Sequence, residues 1–211
     1  MMMKFTALLS ATLLAFSLPV MAQEATPTPE AAPTAAAVIT DMALGPADAK
    51  VTIIEYASFT CPHCAAFHES TFKPLKADYI DTGKVRFEFR EFYRNKYDLW
   101  ASMIARCGGE IRYFGIADIL LSTQTEWANS DDAGVVVENL KRIGRTAGMD
   151  DATLDACMND EANAMAMVEH FQTNSTADDV QGTPTVFING VNHSGLDYAG
   201  YKAIIDPLLA E

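Results

Sequence analysis

The chain has 211 residues, 49% of them hydrophobic and 20% charged, which suits one globular domain of generous size and excludes a disordered polymer. Its net charge of −13 argues against nucleic acid and anionic membrane as partners. Its four histidines are scattered singly, so no zinc-site spacing is present, and no metal or cofactor is expected.

The N-terminus has the three parts of a targeting segment. Lys4 gives a thin basic start, Phe5 to Val20 is an apolar stretch interrupted by Pro19, and Val20, Met21 and Ala22 form a small-residue cleavage site. Residues 1–22 are therefore expected to be a signal peptide cleaved near Ala22; an uncleaved anchor is the alternative, and either places the domain outside the cytoplasm. Residues 23–37, rich in Ala, Thr and Pro, read as a linker. The folded domain is expected over residues 38–211.

Strand signals follow at Val38–Ile39, Val51–Tyr56, Val85–Phe92 and Thr185–Ile188. Between the second and third, Ala65 to Asp81 carries Phe67, Leu75 and Tyr79 at helical spacing, with Pro74 expected to kink it. Gly83 suits the left-handed cap that ends it. Strand, helix, strand over that length implies two parallel neighbours. From about residue 95 to 179 the strand signal vanishes. Helices are expected over Tyr97–Cys107, Glu110–Leu121, Asp131–Ala147 (capped by Ser130 or Asp131), Asp150–Met158 and Glu161–Gln172. Trp100, Met103, Phe114 and Leu120 read as helical core, and His68, His170 and His193 as surface or packing residues. Asn189 and Gly190 then suit a type I′ hairpin turn, and Asp197 caps a final helix with Tyr201, Ile204, Ile205, Leu208 and Leu209 on its apolar face.

The chemistry sits where the second strand meets the first helix. Cys61, Pro62, His63 and Cys64 put a thiol at the N-cap, a proline at the first helical position and a second thiol in the first turn. Unpaired N–H groups and the positive end of the helix dipole favour thiolate there, and a protonated His63 would add charge. A stabilised thiolate makes the corresponding disulfide oxidising. Half of a zinc site and a structural bridge are the alternatives; the bridge would close too small a loop to stabilise much. Cys107 and Cys157, about fifty residues apart, are either buried free thiols or, in an oxidising compartment, a disulfide. Closing that loop would contribute about 4 kcal/mol in the chain-entropy model, less any strain. Glu55 is a lone acid on an apolar strand, either facing solvent or buried for a purpose.

The segment from Glu55 to Cys64, with its Cys-Pro-His-Cys, resembles the active site of the DsbA family of thioredoxin-fold oxidoreductases. Gly182, Thr183, Pro184 and the strand to Gly190 resemble that family's cis-proline loop and hairpin. The likeness runs from about Leu44 to the C-terminus and implies an α/β fold, a thioredoxin-like mixed sheet with an inserted all-helical subdomain. It also implies a cis bond at Pro184, with Pro62, Thr183 and Pro184 contacting an extended substrate. Glu55 becomes a buried carboxyl that shuttles a proton to or from Cys64. The expected function is that of an exported, periplasmic and monomeric thiol:disulfide oxidoreductase. Its substrates would be reduced exported polypeptides, and a quinone-linked membrane reoxidase would restore it. Thr183 resembles isomerase relatives, so an isomerase or reductase is the rival; a holdase chaperone or a periplasmic metal carrier stands further off.

Overall fold

The computed structural model describes residues 38–210, so the expected signal peptide and the linker at 23–37 lie outside the described residues. A five-stranded sheet runs in the order β1 (Met42–Leu44), β3 (Val85–Glu91), β2 (Val51–Ala57), β4 (Thr185–Ile188) and β5 (Val191–Asn192). β2 and β3 are parallel, as a helical crossover requires, and the other pairings are antiparallel. The central β2 is buried along most of its length, which is why it reads as a nearly continuous apolar run. The first strand forms at Met42–Leu44 and not at Val38–Ile39. Val38 is 89% exposed, whereas Met42 finds Phe89 opposite it and is buried. Partners, not β-branching, decide the strand.

Between β2 and β3 lie α1 (Pro62–Phe67), a π-helical stretch His68–Phe72, α2 (Lys73–Leu75) and a second π-helical stretch Lys76–Ile80. The expected disturbance at Pro74 takes this form. Proline offers no N–H and its ring crowds the carbonyl four residues back, and wider turns on either side absorb both effects. Gly83, at φ +72°, turns the chain into β3.

Six helices separate β3 from β4: α3 (Lys96–Cys107), α4 (Gly109–Ser122), α5 (Gln124–Trp127), α6 (Ala133–Thr146), α7 (Asp151–Met158) and α8 (Glu161–Ala177). Gly109, at φ +69°, breaks α3 from α4. The cap of α6 is Asp132, whose carboxylate accepts from the Gly134 and Val135 N–H groups, in place of the expected Ser130 or Asp131. α8 continues five residues past Gln172, where Asn174 donates to Asp41 and so gives the polar last turns a partner. Met103 and Leu120 are buried, while Trp100 and Phe114 pack half-buried against the core.

Two links tie this helical block down. Arg106 on α3 donates through Nε and Nη2 to both oxygens of Glu91 on β3, at 2.7 and 2.6 Å, and Tyr113 donates to the same carboxylate at 2.8 Å. Cys107 and Cys157 form a disulfide that joins the end of α3 to α7. The chain then returns through β4, a turn with Asn189 at φ +45° and Gly190 at φ +81°, and β5. Both positive angles are what a type I′ turn demands. α9 (Tyr198–Ala210), capped by Asp197, buries Tyr201 and Ile205 against the core.

Candidate active site

β2 ends at Ala57, and the turn that follows is held from the helical block. The buried Asp98 carboxylate accepts from Ser58 Oγ (2.8 Å), the Thr60 N–H (2.8 Å) and Thr60 Oγ1 (3.0 Å). The same carboxylate accepts from the Arg94 and Asn95 N–H groups, completing the capping box that opens α3. From α5, Gln124 Nε2 donates to the carbonyls of Phe59 (2.8 Å) and Cys61 (3.0 Å). Cys61 thus enters α1 as an extended N-cap, φ −86° and ψ 117°, with Pro62 directly after it.

The two sulfurs are held in unequal surroundings. The Cys61 thiol is drawn down to about 4, first by the hydrogen bond that the Cys64 thiol donates to it. Burial opposes this; the backbone N–H groups of Cys64 and His63 reinforce it. Cys64 is fully buried and pushed far up, by that same hydrogen bond, then by burial and by the charge of Glu55. Negative charge therefore rests on Cys61. Iodoacetamide alkylation of the reduced protein is expected to titrate near pH 4 at Cys61, against about 8.5 for an ordinary thiol. A midpoint near 8 would show that the helix start does not hold a thiolate.

Cys61 lines an open groove with Pro62, His63, Phe92, Arg94 and Thr183. The Thr183–Pro184 bond is cis, and the Thr183 carbonyl oxygen lies 3.5 Å from the Cys61 sulfur. The Thr183 hydroxyl is buried and has no hydrogen-bond partner among the described residues. His63 contributes through its backbone N–H, while its imidazole is exposed. Glu55, 2% exposed between Phe89 on β3 and Val186 on β4, is raised by burial to about 8. Expected from the sequence to come together, Glu55, Cys61, Cys64, Thr183 and Pro184 do so; Cys107 and Cys157 lie in the helical block instead.

Asp98, Gln124 and the buried His68 escape a sequence reading as parts of the site. Asp98 has a legible signal, the Asn-x-x-Asp capping box, but nothing in that motif announces the second loop it grips. His68, Glu69 and Asp118 offer ligand atoms within 4.8 Å of one another. The Lys73 ammonium lies 2.5 Å from Glu69 and 3.3 Å from Asp118, so this cluster already has its cation.

A family model described as thioredoxin matches residues 37–207. The chain belongs to this thioredoxin family. Its fold is DsbA-like: alpha-DsbA1 of Wolbachia pipientis superposes with a TM-score of 0.74 at 28% identity, over 82% of this chain and 93% of that one. A protein-disulfide isomerase from Novosphingobium aromaticivorans superposes at 0.70 with 26% identity, over 81% and 98%. Among sequence relatives, a Rickettsia bellii protein named "Putative protein-disulfide oxidoreductase" is 37% identical over 172 residues, 81% of this chain. The chain spans 65% of that relative's length.

Proposed function

We propose that the chain is an exported thiol:disulfide oxidoreductase that donates disulfide bonds to newly translocated proteins. The asymmetry of the two sulfurs carries this reading. A substrate thiolate attacks Cys61 in the Cys61–Cys64 disulfide, expelling Cys64, which takes up a proton. A second substrate thiolate then attacks the substrate sulfur of the mixed disulfide and releases Cys61 as a stabilised thiolate. Because the folded state depresses Cys61, that stabilisation is full above the ordinary thiol range and is lost as pH falls toward about 4. At neutral pH it favours the reduced enzyme, so the disulfide is a strong oxidant.

The Thr183 carbonyl beside the Cys61 sulfur supports strand-like pairing with an extended substrate. Residues 1–22 serve export to the periplasm in this reading, the protein acts as a monomer, and a quinone-linked membrane partner restores the disulfide. The Cys107–Cys157 bridge fits an oxidising compartment. Thr183 before the proline and the isomerase among the structural neighbours favour shuffling or reduction as the second reading.

The reduction potential separates the two. A value around −120 mV, with fast oxidation of a reduced model protein and poor rescue of a scrambled one, is the expected result. A value near −200 mV or below, with efficient rescue of the scrambled protein, would replace the oxidase by an isomerase or reductase.

A further inference from the structure

Between β2, β3, α4 and the first π-helical stretch lies a cavity of about 10 Å³, room for one water molecule. Its lining is phenylalanine and other apolar side chains, except at two points, Glu55 and His68. Both are poor residues to bury without a purpose. Glu55 owes its raised pKa to burial alone, with no neighbouring charge or hydrogen bond contributing. His68, 5% exposed, stacks on Phe72 with ring centroids 5.0 Å apart. Its Nε2 lies 2.8 Å from Asp118 Oδ1, and the Asp118 side chain is about half exposed. A buried carboxyl, a one-water gap, an imidazole and a surface carboxylate thus follow one another from the redox centre to solvent.

We infer that His68, backed by Asp118, is the outlet of a proton path that runs from Cys64 through Glu55. The inference rests on the oxidoreductase reading. In reoxidation an oxidant is joined to Cys61 as a mixed disulfide. The Cys64 S–H gives its proton to the Glu55 carboxylate, the Cys64 sulfur bonds to the Cys61 sulfur, and the oxidant's thiolate leaves with the electron pair of the broken bond. Glu55 then passes the proton across the cavity to the other ring nitrogen of His68, Nδ1, and the proton on Nε2 moves to Asp118 and out. When a substrate expels Cys64, the same path runs inward. No electrons pass through His68, which is a positioning residue acting through Glu55.

An imidazole suits this place because it exchanges protons at both nitrogens, and burial lowers its pKa so that it rests neutral. The charges facing the path come from several elements. Lys73 on α2 disfavours the imidazolium, while Asp118 on α4 and Glu69 on the π-helical stretch favour it. The Tyr201 hydroxyl on α9 lies near enough to Glu55 to feel its charge.

The test uses the full chain, reduced and mixed with oxidised glutathione. Acid quenching and mass spectrometry follow loss of glutathione from Cys61 as Cys64 closes the disulfide, from pH 5 to 9. His68→Gln is expected to slow closure roughly 10- to 100-fold at pH 7 and flatten its pH profile, while the equilibrium potential stays put. Asp118→Asn, a surface change that spares the core, is expected to slow closure less and in the same direction. Glu55→Gln combined with His68→Gln should be no slower than Glu55→Gln alone, as for two members of one path. Wild-type closure and pH profile in His68→Gln, or losses that multiply in the double variant, would overturn the relay and leave the oxidoreductase reading standing. A wild-type chain that never closes its Cys61–Cys64 disulfide overturns both.

Discussion

Cys61→Ser is expected to leave the chain unable to pass a disulfide to a reduced protein. In an oxidative refolding assay the recovered activity of the model substrate should fall to the level of the uncatalysed control. Cys61 supplies the sulfur that lines the groove beside Thr183, while Cys64 is wholly buried behind it, so no other sulfur of the pair is placed to meet a substrate. Cys64→Ser makes the converse case. There the attack on Cys61 still occurs, nothing resolves it from within, and a mixed disulfide with the substrate should accumulate on non-reducing gels. Retained refolding activity in Cys61→Ser would remove this cysteine from the mechanism.

Glu55→Gln is expected to make the protein more stable and its chemistry slower. Burial raises the Glu55 carboxyl from its ordinary range to about 8. As pH climbs from about 4.5 to 8, the unfolded chain releases a proton that the folded chain retains, and folding stability declines across that window. Glutamine has no such proton. The variant should therefore gain about 3 kcal/mol over the natural protein at pH 7 and almost nothing at pH 4. Urea unfolding of the oxidised protein reads this cleanly, because neither Cys61 nor Cys64 titrates once they are joined. The rate effect has the opposite sense: closure by Cys64 should slow about 100-fold at pH 7 for want of a base. A stability difference that ignores pH would mean that Glu55 is not the buried acid described.

Much of this was legible in the sequence, and the failures have physical causes. The Cys-Pro-His-Cys turn, the parallel crossover, the Asn-Gly hairpin and the Gly83 cap depend on local chemistry that neighbouring residues state outright. Val38 and Ile39 look like a strand because β-branched residues usually are one, yet the pairing partner lies at Met42. The cap of α6 falls on Asp132 because Ser130, Asp131 and Asp132 are all competent caps and only the fold chooses among them. Glu55 could be read as buried only through family likeness, since a single acid on an apolar strand has two explanations. Asp98, Gln124 and His68 act on residues 38 to 65 positions away or across a cavity, and no periodicity encodes such contacts.

The grip of Asp98 and Gln124 on the catalytic turn bears on how this architecture can be modified. The carbonyls of Phe59 and Cys61 and the hydroxyls of Ser58 and Thr60 all find their partners on helices that are absent from a bare sheet-and-helix core. Excising those helices to obtain a minimal domain would strand polar groups at the very bend that presents the reactive sulfur. The insertion is thus not a detachable module, and a chimera that exchanges it with a relative's must carry the matching turn along with it. At α3 and α5 the block is soldered to the chemistry.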